Sequence, residues 1–339
     1  MTPKSHLNVD HLPAPYISIV VPTRDRVDLL ARALDSIKTQ SFQSFEVIVI
    51  DDGSSEDTRL KYTQLWEVLD SRFVLHLVGS SGSLKGLGPS FSRNTGISIA
   101  KGEVLAFCDD DDFWIADNHL DMMASAYLAD LEVDMYIANQ KGQSVQGTEI
   151  TDWFPKMRTK FNDKPGASEN GNEVGINLLC NAGGFAHLNI LSVRKRIAVE
   201  AGGFWERVSY EEDRDFFWRT LDRCKKVFYN PRIIAQHNIP DPNKANNQST
   251  QHAVVDRWLL AILVSQHIAA NVKNPLIAKL ANTYEGDLLR RLALHFAHLG
   301  RHGQGFAFGS RALGARFSFK WSVYLTLLGF RALLTKETR

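Results

Sequence analysis

Val104-Leu105-Ala106-Phe107-Cys108-Asp109-Asp110-Asp111-Asp112-Phe113-Trp114 is the stretch from which the fold of this 339-residue chain can be read. Residues 104–108 form a short apolar run that predicts a buried strand, and the run enters four consecutive aspartates. Carboxylates crowded at the end of a buried strand repel one another and resist desolvation. A hard divalent cation such as Mg²⁺ or Mn²⁺ relieves both effects and keeps positions open for phosphate oxygens. The competing account is a solvated acidic turn that caps the helix expected to start near Asp117.

Working outward from that strand, the pattern repeats. Residues 89–100 predict a helix, preceded by a Gly/Ser-rich loop over 79–88. Residues 73–78 and 47–50 predict strands, with a helix over 57–69 between them. Residues 26–40 set Val27, Leu30, Leu34 and Ile37 at helical spacing, and 17–21 form a β-branched strand that ends in Pro22. Strand and helix alternating at this interval predict a parallel sheet covered on both faces. Ligands of such sheets sit beyond the carboxyl ends of the strands. The loops at those ends carry Thr23-Arg24-Asp25, Asp51-Asp52 and Asp109 to Asp112, so three polar loops should converge on one rim.

Beyond the aspartates the pattern is less regular. Residues 185–193 predict a later strand, and 210–224 a helix through Phe217, Leu221 and Cys224. Loop-forming residues cluster over 165–175, and the polar run 240–251 reads as a loop. From 254 to 334 the spacing is helical, with breaks at Asn274-Pro275 and 300–303. The first 15 residues, with three prolines, read as a tail.

Composition narrows the class. Lys and Arg total 39 against 38 acids, so no global field favours nucleic acid as a partner. Cys108, Cys180 and Cys224 are widely spaced, which suits free thiols in a reducing compartment better than disulfides or a zinc site. No charged start leads into an apolar run, so no leader peptide is expected. The longest apolar stretch, 321–334, is broken by Arg331 and falls short of the roughly 20 residues a spanning helix requires. From Arg301 onward, however, seven cations face one acid, Glu337, among several aromatics. That tail suits either an anionic membrane surface or the solvated face of a packed helix.

Further residues could carry chemistry. Asp51-Asp52-Gly53-Ser54 could accept hydrogen bonds from a nucleobase or ribose, or could simply turn the chain and cap the next helix. Arg93, on the helix before the acidic strand, could brace the aspartates or meet a phosphate; a surface ion pair is the alternative. Glu211-Glu212-Asp213-Arg214-Asp215 suits a helix N-terminus, and equally a general base for an attacking hydroxyl. His237, after an apolar strand over 233–235, could be a metal ligand or a phosphate contact, or a structural histidine.

Taken together, these segments resemble family 2 of the glycosyltransferases. The resemblance rests on Ile17 to Arg26, Val49-Ile50-Asp51-Asp52-Gly53-Ser54, Ser92-Arg93-Asn94-Thr95-Gly96, Phe107 to Trp114, and Gly202-Gly203-Phe204 followed by Glu212-Asp213 and Phe216 to Arg219. It implies a GT-A fold, a Rossmann-like, mostly parallel sheet with helices on both faces, followed here by a C-terminal helical segment. It divides the chain into a tail over 1–15, a GT-A domain over 16–240 and a helical region over 241–339. Within the domain, 16–112 form the nucleotide-sugar half and 113–240 the acceptor half. The implied reaction is inverting transfer from a nucleotide-sugar donor to a glycan or lipid-linked acceptor, with Mn²⁺ or Mg²⁺. Thr23 and Asp52 match positions that hold the nucleoside. Asp109 and Asp111 match the metal-binding pair, Asp111 being the direct ligand, while Asp110 lies nearer the donor sugar; His237 is a further candidate ligand on its position alone. Pro22, Arg24, Asp25, Arg93 and Asn94 complete the donor side. Asp213 matches the catalytic base of inverting members, with Glu212 beside it. Arg24 stands where many members carry a tyrosine, and nothing after residue 240 matches a family motif. Apart from the resemblance, the free thiols suit a cytoplasmic location, and the basic C-terminal helices would suit contact with the inner face of the membrane. Two other classes fit less well. A nucleotidyltransferase should carry a Gly-rich basic loop after its first strand, and an inactive glycan-binding relative should lack some of the acids.

Overall fold

Alternation of buried strands with amphipathic helices builds the first half of the computed structural model, which describes residues 15–82, 86–144, 146–147, 149–161, 170–241 and 252–334. Most of the expected tail, parts of the loops over 79–88, 165–175 and 240–251, and Lys336, Glu337 and Arg339 lie outside the described residues. The elements run β1 (Ile17–Thr23), α1 (Val27–Lys38), β2 (Phe45–Asp52), α2 (Glu56–Glu67), β3 (Phe73–Val78), α3 (Pro89–Ile99) and β4 (Val104–Phe107). Then come β5 (Phe113–Trp114), α4 (His119–Ala129), β6 (Val133–Ser144), β7 (Glu149–Ile150), α5 (Pro155–Phe161), β8 (Asn172–Glu173) and α6 (Ile176–Cys180). After a 3₁₀ turn (Leu188–Ile190) follow β9 (Leu191–Arg194), α7 (Lys195–Glu200), α8 (Glu212–Leu221) and β10 (Lys226–Ile239). The last four helices are α9 (Val254–Asn271), α10 (Pro275–His298), α11 (His302–Ala315) and α12 (Phe319–Leu334).

The strands form one sheet in the order β3-β2-β1-β4-β9-β6-β10-β5, with β7 beside β6 and β8 beside β10. β3, β2, β1 and β4 run parallel, as do β6 and β10, while β9 lies antiparallel between β4 and β6. Every residue of β2 is buried, so both faces of the sheet are covered, as parallel strands require. On α1, Leu30, Leu34 and Ile37 are fully buried, each contributing about 1.5–3 kcal/mol.

The described chain divides into two compact units. One holds the residues up to Glu206 with Arg223–Asp241, and the other holds Arg207–Asp222 with the residues after 241. The segment over 207–222, placed by the sequence reading in the α/β domain, thus groups with the C-terminal helices. That helical unit has its own core of Ala261, Ile262, Leu288, Leu289, Leu292 and Ala312, with Trp258 and Trp321 packed against it.

Three details depart from the sequence reading. The expected strand over 185–193 is a strand only from Leu191; before it the chain makes a 3₁₀ turn. The strand around 233–235 is part of the 14-residue β10, whose Pro231 and register shifts hide its length. β6 went unread because Asp134 interrupts its apolar run. In the fold Asp134 is buried against Arg196 and the Lys225 N–H.

Candidate active site

Strand register brings the three acidic loops to one rim. Thr23 lies opposite Asp51 and Val20 opposite Phe107, and the Cys108 N–H donates to Val20 O at 3.2 Å. Asp110 accepts from Thr23 Oγ1 at 2.8 Å and from Arg26 Nη1 at 3.0 Å, and the same Arg26 nitrogen reaches Asp111 Oδ2 at 3.1 Å. Asp109 accepts from Arg93 Nη2 at 2.6 Å, and its N–H donates to Asn189 Oδ1 at 3.0 Å. Asp112 is the innermost. Its Oδ1 accepts the Asn238 N–H at 2.7 Å, and its Oδ2 meets Asn189 Nδ2 and, at 2.8 Å, His237 Nδ1.

The aspartates are unequal electrostatically. Burial pushes Asp111 up to about 8, reinforced by the charges of Asp112, Asp110 and Asp109. Burial also raises Asp110 to about 6, against the pull of Arg26. Burial opposes the charge on Asp109 as well, yet Arg93, together with His187 and His237, outweighs it and holds this carboxyl below its usual range. Burial and like charge thus weigh most on Asp111, and Arg26 offsets them only in part.

Two imidazoles border the cluster. The rings of His187 and His237 lie 4.4 Å apart, and Trp153 presents its ring edge-on to both. Burial lowers His187 to about 4, and among the described residues its Nδ1 has no hydrogen-bond partner. Burial opposes charge on His237 too, but Asp112, together with Asp111 and Asp109, outweighs it and raises this histidine above the ordinary value. Among the described residues, Asp112, His187 and His237 offer ligand atoms within 4.8 Å of one another. Carboxylate oxygen suits Mg²⁺ and Mn²⁺, and imidazole nitrogen suits ions such as Fe²⁺ and Zn²⁺, so this mixed donor set fits a divalent cation. Both Asp112 oxygens also accept hydrogen bonds, so Asp112 braces its neighbours as well as offering a ligand atom. A carboxylate that holds one imidazole nitrogen fixes the ring and leaves the other nitrogen for a metal.

The nucleoside side is built from β1 and β2. Pro22 continues β1 opposite Ile50. Asp51 is buried and structural, accepting from Ser54 Oγ, Tyr62 OH at 3.1 Å and Arg59 Nε at 3.2 Å. Asp52 faces the next loop, where its oxygens accept the N–H groups of Leu87 at 2.7 Å and Gly88 at 2.8 Å. A Cβ on Gly86 would stand 2.7 Å from Asp52 Cγ and 2.6 Å from Arg24 Nη1, so a side chain here would displace both. Asp25, at φ 54°, accepts from the Ser55 N–H at 2.8 Å and Thr58 Oγ1 at 3.0 Å, tying its loop to the start of α2.

Arg93 and Asn94 are held on α3. Arg93 is buried, with its guanidinium 5.3 Å from the Phe204 ring centre. Asn94 grips the Gly202-Gly203-Phe204 turn, accepting the Phe204 N–H at 2.7 Å and donating to Phe204 O at 2.9 Å. Gly203 has φ 67°, and a Cβ there would collide with the Asn94 amide. Asn94 thereby positions a turn.

Asp213 and Glu212 lie in the first turn of α8, in the helical unit. Both are half-buried, and Asp213 Oδ1 accepts the Arg214 N–H at 2.8 Å. The preceding Glu211 adopts φ 58°, costly for a residue with a side chain. It is held there by Tyr284 OH at 2.7 Å and by Arg214 Nε at 3.0 Å.

The sequence reading did not single out Arg26, His187, Asn189 or Asn238. Arg26 offered a signal, a lone cation directly after Thr23-Arg24-Asp25. His187 and Asn189 offered only a polar residue within an apolar run, which strand alternation explains equally well.

The chain belongs to a family described as glycosyl transferase family 2, whose sequence model matches residues 18–189. It is similar to the GalNAc(5)-diNAcBac-PP-undecaprenol beta-1,3-glucosyltransferase of Campylobacter jejuni, 37% identical over 98 residues. That match spans 29% of this chain and 30% of the relative's own length. The fold resembles that of S. aureus TarS 1–349 in complex with UDP-GlcNAc, with a TM-score of 0.64 and 16% identity over 94% of this chain and 88% of the other. It also resembles the mannosyltransferase PcManGT of Pyrobaculum calidifontis in complex with GDP-Man and Mn²⁺, with a TM-score of 0.55 and 18% identity over 95% and 87% of the two chains. The fold is of the GT-A type that the sequence resemblance implied.

Proposed function

We propose that this chain transfers a sugar from a nucleoside-diphosphate donor to a lipid-linked glycan acceptor, with inversion at the anomeric carbon, working at the inner membrane face. The observation that carries the donor half is the rim of four aspartates at the end of β4, where burial and the three neighbouring carboxylates raise Asp111 to about 8 despite Arg26 at 3.1 Å. The lipid-linked acceptor follows the undecaprenol-linked glycan named for the Campylobacter relative. Asp111 and Asp109 would hold a divalent cation together with His237, which Asp112 orients. When bound, such an ion supplies positive charge to a diphosphate leaving group. Asp52 and Thr23 hold the nucleoside, Arg24 and Arg93 stand on the donor side, and Asp213 takes the acceptor proton.

Calorimetry with UDP and GDP tests the metal half. Affinity should rise with Mn²⁺, and Asp111→Asn should remove most of that increment because it deletes a ligand charge at nearly constant volume. Equal affinity with Mn²⁺ and with EDTA would discard the cation. A hydrolysis screen of common sugar nucleotides with Mn²⁺ then identifies the donor by the diphosphate released.

A second variant tests the nucleoside half. Gly86→Ala should weaken nucleotide binding at least tenfold, about 1.4 kcal/mol, because the new methyl group drives Asp52 and Arg24 from their places. Thermal unfolding should change little, since the residue sits in a loop. Wild-type affinity in this variant would remove Asp52 from the nucleotide site.

A further inference from the structure

We propose that the outer face of α12 seats this protein on an anionic lipid surface. At about 100° per residue, Phe319, Phe330, Val323, Leu334 and Leu327 fall in that order around a single arc of about 80°. All five are exposed, at 75%, 61%, 51%, 85% and 59% respectively. Lys320 and Arg331 border the arc on one side, and Phe317, 76% exposed, precedes the helix.

This face is not a spare packing surface for the helical unit, because α12 already packs with its opposite side. Leu325 and Leu328 are buried there, and Trp321 Nε1 donates to Gly309 O at 3.0 Å. Gly305 and Gly309 on α11 allow the close approach: a Cβ on Gly309 would stand 2.7 Å from Leu325 Cδ1. With its inner side satisfied, the helix still presents an apolar stripe to solvent, and such stripes mark interaction surfaces.

Charge selects the occupant. Residues 301–334 contain five cations (Arg301, Arg311, Arg316, Lys320 and Arg331) and no Asp or Glu. A second copy docked on this face would bring two such cationic segments together. An anionic bilayer complements the cations while the stripe enters the boundary between headgroups and acyl chains. No helix among the described residues is long and apolar enough to cross a membrane, so the mode is in-plane contact. This inference rests on the lipid-linked acceptor proposed above in one respect, that such an acceptor is met at a bilayer. Its test requires neither donor nor acceptor, so the two readings fail separately.

The test is flotation of the full-length protein with phosphatidylcholine vesicles and with vesicles of equal parts phosphatidylcholine and phosphatidylglycerol. The protein should float with the anionic vesicles and remain behind with the neutral ones, and high salt should release it. Lys320→Gln and Arg331→Gln should each weaken partitioning about fivefold, the equivalent of ~1 kcal/mol per cation at such a surface. Leu327→Ser with Phe330→Ser should abolish flotation while thermal unfolding stays unchanged, since both side chains face solvent. Failure to float with either vesicle overturns the proposal. So does flotation that survives the double serine variant, and so does a concentration-dependent dimer that this variant dissociates.

Discussion

Asp213→Asn is expected to lower the turnover number about a hundred- to ten-thousand-fold while leaving donor and Mn²⁺ affinity close to wild type. In the proposed single displacement the acceptor oxygen forms a bond to the anomeric carbon as the carbon–oxygen bond to the diphosphate breaks. The acceptor proton passes to the Asp213 carboxylate. Asparagine keeps the shape of the side chain and can still accept the Arg214 N–H, but it cannot take that proton. Asp111→Asn should show the reverse pattern, with donor and metal binding affected first. Glu212 is the neighbouring control: as an acid at a helix start it contributes through the helix dipole, worth about 0.3–1 kcal/mol, so Glu212→Gln should change turnover far less. Proton NMR of the product gives the second readout. Near-normal turnover in Asp213→Asn, or a product that keeps the donor's anomeric configuration, removes Asp213 from the role of base.

How much of this was legible in the sequence depended on where each residue stands relative to a regular element. The rim was legible because β1, β2 and β4 are short, apolar and end at or within two residues of an acid, so strand ends could be placed within a residue or two. The aspartate cluster needs a counter-charge wherever it lies, and that argument required no coordinates. The division of labour within the cluster was not legible. Asp111 and Asp112 are adjacent and chemically identical, and only the partners separate them: Asn189, His237 and Asn238 converge on Asp112. Two of those partners lie on β10, whose Pro231 and irregular register conceal a long strand, and Asn189 lies in a turn that the sequence presents as strand. Long-range pairing of this kind leaves no periodicity in the chain. The same holds for α8. Its acids are plain in the sequence, but its grouping with the C-terminal helices rather than the sheet is a tertiary fact.

Arg219→Met is expected to destabilise the protein by about 3–5 kcal/mol, the usual cost of removing one partner from a buried ion pair. Asp215 is wholly buried on α8, and Arg219, one turn later, is only 5% exposed. Arg219 Nε and Nη2 meet Asp215 Oδ2 at 2.7 Å and 2.6 Å, and His267 Nδ1 of α9 meets Oδ1 at 2.7 Å. Methionine occupies similar space but leaves the carboxylate with His267 as its remaining side-chain partner in that triad. Urea unfolding should therefore shift to a lower midpoint with an unchanged slope. The double variant Asp215→Leu/Arg219→Met should recover most of the loss, because replacing both members of a buried pair with apolar side chains is often neutral or stabilising. Asp215 stands two residues after Asp213, so Arg219→Met should also reduce activity, but through the folded fraction. Activity per folded molecule should remain near wild type, whereas Asp213→Asn should shift unfolding by no more than a helix-start acid contributes, about 1 kcal/mol, and lose turnover. An Arg219→Met protein within about 1 kcal/mol of wild type would mean that α9 and the surrounding apolar contacts hold α8 without this pair, and that Asp215 is not its anchor.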